Sequence, residues 1–142
     1  MLNRIKKLIF TAITIEIVGA FLLASLFHTV FFGLKETVAI LQWLCFPLLI
    51  ACAITYAFGW FIGNRFSARY HFKKWQGVVI MFALLLVGIF GGMLTLSISA
   101  NNDINEITDV FPVVLVFLAF GGLPTLILGL WLGNRLSKLN PS

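Results

Sequence analysis

Four long apolar runs separated by short polar segments constrain this chain more than any other feature. They cover approximately residues 8–32, 39–62, 75–99 and 110–132. A helix needs about 20 apolar residues to cross the hydrocarbon core of a bilayer, where no water can satisfy exposed backbone groups. The sequence therefore predicts an all-α integral membrane protein, in which residues 1–142 form one domain of four transmembrane helices.

The composition agrees with lipid as the surrounding medium. Hydrophobic residues make up 61% of the chain and charged residues 11%, whereas soluble domains average about 45–50% and 25%. The net charge of +5 raises the alternative of nucleic-acid binding. However, the basic residues lie at the ends of the apolar runs, where they would meet anionic headgroups. We expect the lipid bilayer as a partner and no nucleic acid.

The polar segments differ in charge, and this difference predicts an orientation. Nine of the ten basic residues lie before the first run, between the second and third, or after the fourth; Lys35 is the exception. Asp103, Glu106 and Asp109 lie between the third and fourth runs. Because basic residues are retained on the cytoplasmic side, we expect both termini to be cytoplasmic. We place the protein in the cytoplasmic (inner) membrane of a bacterium.

One motif occurs twice, which suggests an internal repeat. Residues 59–65 read Gly-Trp-Phe-Ile-Gly-Asn-Arg, and residues 129–135 read Gly-Leu-Trp-Leu-Gly-Asn-Arg. Each half would cross the membrane twice, so both halves would start on the same side of it. The prediction is therefore two parallel two-helix repeats. Alternatively, the two motifs are similar only because both lie where a helix leaves the membrane. Aromatic and basic side chains at span ends are typical headgroup anchors, and here they are Arg65, Arg135, Trp60 and Trp131.

Small residues four apart predict close helix contacts. Such pairs let two backbones approach each other in lipid, where burial of apolar surface does not drive pairing. They pack helices either within this bundle or against a partner helix or a second copy. The pairs are Gly59 with Gly63, Gly88 with Gly92, and Gly129 with Gly133.

Glu16 is the most informative single residue. It lies about 12 Å into the hydrocarbon when counted from Leu8, and an ionisable group at that depth is costly. Counting from the ends of the second and fourth runs predicts a hydrogen bond to Tyr56, Thr55 or Thr125. Three roles stay open: a carboxyl that fixes helix register, a proton- or cation-coupled transport site, or a contact with a partner protein.

No residue set in the chain has the pattern of an enzyme or a metal site. Glu16 has no second ionisable residue at its depth, and the acidic segment before Val110 lacks the glycine and spacing of a calcium-binding loop. Cys45 and Cys52 lie seven residues apart, too far for a disulfide between them on one helix. We expect no enzymatic activity, no cofactor and no metal.

Two function classes remain. The first is a small non-enzymatic membrane protein that packs its helices against a partner, as an accessory subunit of a membrane complex or as an immunity-type protein. The alternative is an oligomeric transporter or channel for a small solute, an ion or a proton, using Glu16. A transporter needs polar residues on facing sides of several helices, and the third run has almost none before Thr95. This favours the partner-binding class.

The sequence also predicts two local features. Residues 33–38 are expected to form a short connection between the first two spans. Gly121-Gly122-Leu123-Pro124 is expected to kink the fourth span or loosen one of its turns.

Overall fold

In a computed structural model, the chain forms four α-helices in succession: α1 (Leu2–Phe32), α2 (Leu34–Arg65), α3 (Lys74–Ala100) and α4 (Ile107–Ser137). The structure describes the backbone of residues 2–66, 71–100 and 107–139, and the side-chain surroundings of 3–66, 71–95 and 121–139. No strand occurs within these ranges, so the predicted all-α fold is confirmed. Helices α1, α2 and α3 are long and apolar enough to cross a membrane.

The connection between α1 and α2 is shorter than the sequence predicted. Gly33 alone separates the two helices, so the predicted connection over residues 33–38 is wrong. Gly33 has a φ of 87°, a left-handed conformation that glycine adopts without steric cost. Its N–H donates to the carbonyl of Thr29 at 3.0 Å, and its own carbonyl accepts from the N–H of Thr37 at 3.2 Å. These two hydrogen bonds join Gly33 to the end of α1 and the start of α2 without a longer loop.

Proline ends neither of the helices in which it occurs. Pro47 lies inside α2, and α4 continues through Gly121-Gly122-Leu123-Pro124 as one helix rather than two. Membrane helices tolerate proline because neighbouring groups can satisfy the freed carbonyl.

The four helices form a closed ring of contacts. Each helix packs against the next one in the chain, and α4 returns to pack against α1, so that α1 and α3 lie diagonally opposite. We call the end that holds the first turns of α1 and α3 and the last turns of α2 and α4 the basic end. The fully buried apolar core lies towards this end and includes Ile5, Ile9, Ile13, Met81, Leu84, Leu132 and Leu136.

Helices α3 and α4 touch backbone to backbone near the basic end. A methyl group placed on Gly133 would overlap the carbonyl of Lys74, and one on Gly77 would overlap the backbone of Gly129 and Gly133. A methyl group on Gly129 would come within 2.6 Å of the Cα of Val78. Only glycine leaves enough room at this crossing.

The other two glycine pairs also lie against helices of the same chain. On α2, Gly59 faces Ile13 and Gly63 faces Lys6, both on α1. On α3, Gly88 and Gly92 face α2. All three pairs therefore pack this bundle, and a surface for a partner has to be sought elsewhere.

We expect Gly133→Val to destabilise the bundle because the added side chain forces α3 and α4 apart. Adding a side chain to a close contact typically costs about 1–3 kcal/mol. Here the added atoms would overlap the backbone of the facing helix. The free energy of unfolding, measured by SDS titration in mixed micelles, should fall by at least that amount.

Gly122→Val is the matched control, because no atom outside the local helix backbone lies within 4 Å of a Cβ placed there. Its stability should stay within about 0.5 kcal/mol of the parent protein. Equal unfolding of Gly133→Val and the parent would contradict the proposed backbone contact.

Candidate functional site

The structure buries Glu16 between two helices. The residue lies on the face of α1 that also carries Ile9, Ala12 and Ile13, and only 8% of its surface is exposed. The hydroxyl of Thr125 on α4, itself fully buried, donates a hydrogen bond to Oε1 of Glu16. Thr125 is one of the three partners that depth counting predicted. The bond joins the first and last helices of the chain.

This arrangement satisfies the carboxyl with a neutral donor. The other acidic residue whose side chain is described, Glu36, lies in the first turn of α2, at the end of the bundle opposite the basic end. Among the described residues, no group of three or more histidine, cysteine or acidic side chains is placed to hold a metal ion. Glu16 can therefore fix the register of α1 against α4, accept a further hydrogen bond or take up a proton.

The other two predicted partners of Glu16, Tyr56 and Thr55, form hydrogen bonds with other residues. The hydroxyl of Tyr56 lies 2.7 Å from Oγ1 of Thr14, which joins α2 to α1. Thr55 donates to the carbonyl of Ala51 in its own helix at 2.8 Å and lies against Gly88 of α3. The predicted set of Glu16, Thr55, Tyr56 and Thr125 is thus distributed over three helix–helix interfaces.

A second polar cluster, which sequence reasoning missed, lies at the α1–α2 corner. The hydroxyl of Thr37 lies 2.9 Å from Nδ1 of His28 and 3.1 Å from Oγ1 of Thr29. Thr37 also donates to the carbonyl of Gly33 at 2.8 Å and is 4% exposed. The signal for this cluster was the glycine itself, since a one-residue turn brings side chains nine positions apart together.

The predicted headgroup anchors lie at the basic end. The guanidinium of Arg65 lies 5.3 Å from the ring centre of Phe61, and that of Arg135 lies 5.8 Å from the ring centre of Trp131. The ammonium of Lys6 lies 5.7 Å from the ring of Trp60. Cation–π contacts of this length are favourable. They hold the two arginines beside the last turns of their own helices and Lys6 of α1 beside the last turns of α2.

Beyond Glu16, the buried face of α1 becomes exposed. Residues at helical spacing from Glu16 share its face, and those farther from the basic end are Gly19, Ala20, Leu23, Ala24 and Phe27. We call these five residues the open face of α1. Leu23 is 53% and Phe27 46% exposed, whereas Ile9 and Ala12 on the same face are fully buried. No atom lies within 4 Å of a methyl group placed on Gly19.

One α-helical turn separates Glu16 from Gly19 and Ala20. The open face therefore begins next to the contact between Glu16 and Thr125. Small side chains at three of its five positions would allow the backbone of another helix to approach closely.

Comparison of the chain with known protein families, with characterised proteins and with solved structures finds no significant match.

We expect the hydrogen bond between Glu16 and Thr125 to appear as an energetic coupling. In a double-mutant cycle of Glu16→Leu and Thr125→Val, the two changes should be non-additive by about 0.5–2 kcal/mol, the range found for interhelical hydrogen bonds in membranes. The free energy of unfolding in mixed micelles is the measurement.

The control cycle pairs Thr125→Val with Thr14→Val, because Thr14 bonds Tyr56 on a different interface. Its two effects should add. A coupling of zero between Glu16 and Thr125 would contradict the bond.

Proposed function

We propose that this chain is a four-span protein of a bacterial cytoplasmic membrane, with both termini in the cytoplasm and two parallel two-helix halves. Three helices long and apolar enough to span a membrane support the proposal. So does α4, whose 31 residues would extend about 46 Å. Nine basic residues in the terminal and central polar segments support this orientation under the positive-inside rule.

This topology can be tested with cysteine labelling. In a variant whose Cys45 and Cys52 are replaced by alanine, we expect Ile104→Cys to react with a membrane-impermeant maleimide in intact cells. Ala68→Cys should react only after the cells are permeabilised. Labelling of both positions under the same condition would contradict the four-span arrangement.

Within that membrane we propose a non-enzymatic role in which the chain packs against a helix of a partner membrane protein. The observation that carries this proposal is the open face of α1, because it continues a face that the bundle buries elsewhere. The three glycine pairs are already used inside the chain, whereas the open face still offers small side chains on which a partner helix can pack closely. An accessory subunit of a membrane complex or an immunity-type protein would act in this way.

The position of Glu16 strengthens the case for a specific partner. Interhelical hydrogen bonds contribute to association in lipid because the alternative is an unsatisfied polar group. A partner helix lying along the open face would pass close to this carboxyl. A hydroxyl or amide on that helix would have an acceptor beside Thr125, whereas a purely apolar helix would not use it.

A second candidate function rests on the same residue. If a second copy of the chain covered the open face, Glu16 would lie near the dimer interface, as expected for an oligomeric transporter or channel. In that case Glu16→Gln should abolish proton or cation flux through liposomes containing the protein. Flux that depends on Glu16 would favour this alternative over the partner-binding role.

Photo-crosslinking distinguishes the open face from an ordinary lipid-facing surface. A photoreactive amino acid at Ala24 should crosslink to one partner protein in native membranes, whereas the same group at Leu22 should react with lipid. Both positions are exposed and at nearly the same depth, but they point in roughly opposite directions on α1.

Replacing Ala20 with phenylalanine should block the crosslink from Ala24, and Val18→Phe on the other side of α1 should not. A product of twice the chain mass would indicate a second copy as the partner. Equal products from Ala24 and Leu22 would contradict the proposal.

A further inference from the structure

A cleft of about 350 Å³ lies between α1 and α4 at the basic end. Four basic side chains line it: Arg4 and Lys7 on α1, Arg135 in the last turn of α4, and Lys138 directly after that helix. These residues come from opposite ends of the sequence, so the sequence alone does not indicate that they form one site.

The four cations have no carboxylate partner among the described residues. The acidic residues in that part of the chain are Glu16 and Glu36. Glu16 lies nine residues beyond Lys7, about 13 Å along the helix axis, and is hydrogen-bonded to Thr125. Glu36 belongs to the first turn of α2, at the opposite end of the bundle. Four like charges around one cleft repel each other unless an anion lies between them.

Apolar side chains lie beside these cations in the lining of the cleft. They are Leu8 on α1 and Leu139 just after α4, and the hydroxyl of Thr11, which also lines the cleft, already donates to the carbonyl of Lys7 at 2.8 Å. The guanidinium of Arg135 lies beside the ring of Trp131, which restricts its position. Charged and apolar side chains in one cleft match a molecule with an anionic head and a hydrocarbon tail.

We propose that this cleft binds the phosphate headgroup of an anionic phospholipid. Arginine binds phosphate through two parallel hydrogen bonds, and lysine adds mobile point charges. Basic pockets between helix ends at a membrane surface are suited to such headgroups. All of these cations are exposed, as are Lys73 and Lys74 at the start of α3. The site differs from general attraction to the membrane because four cations line one cleft, whereas Lys73 and Lys74 lie outside it.

The test compares lipid binding by two variants with the same loss of charge. The purified full-length chain in zwitterionic detergent is titrated with phosphatidylglycerol and with phosphatidylcholine, and bound lipid is counted by native mass spectrometry. Lys7→Gln with Lys138→Gln should weaken phosphatidylglycerol binding about 25-fold, since each basic residue near an anionic lipid surface contributes about fivefold. Lys73→Gln with Lys74→Gln should leave that binding unchanged, and phosphatidylcholine should bind weakly throughout.

Three outcomes would overturn the proposal. The first is equal weakening in both double variants, which would indicate diffuse charge attraction. The second is unchanged binding when Lys7 and Lys138 are replaced. The third is displacement of the lipid by inorganic phosphate at comparable concentration, which would indicate a site for free phosphate. If the first double variant fails to fold, Lys138→Gln alone is used, with an expected loss of about fivefold.

Discussion

Direct contact between the backbones of α3 and α4 is the interaction on which the rest of this structure depends. In lipid, burying apolar side chains does not favour one helix pairing over another, so close approach and polar contacts decide which helices meet. Gly77, Gly129 and Gly133 allow that approach at the basic end. Helices α1 and α2 pack against this pair, and the fully buried apolar side chains lie near the same end of the bundle.

Polar contacts then set how far each helix is shifted along its neighbour. Glu16 and Thr125 join α1 to α4, and Thr14 and Tyr56 join α1 to α2. An isolated apolar helix could slide by a turn at little cost, because leucine and lipid offer similar surroundings. A buried hydrogen bond opposes sliding, since a shifted helix would leave polar groups unsatisfied.

Much of this architecture was predictable from the sequence, for a physical reason. Lipid requires every backbone group to be bonded within a helix, so the apolar runs determine the helices. The pair Gly129 and Gly133 marks a backbone contact, but its counterpart Gly77 belonged to no predicted pair. Thr125 was among the predicted partners of Glu16 because depth in a membrane can be counted along a helix. The cluster around Thr37 was missed because it depends on a one-residue turn. The open face was missed because the periodicity of a sequence shows which residues share one face of a helix. It does not show which part of that face another helix covers.

The one-residue link at Gly33 has a mechanical consequence. With no slack between α1 and α2, and with His28 and Thr37 bonded across the corner, the two helices cannot slide apart at that end. The turn at Gly33 therefore limits how far α1 and α2 can separate at this end of the bundle, whatever lies beside them at the basic end.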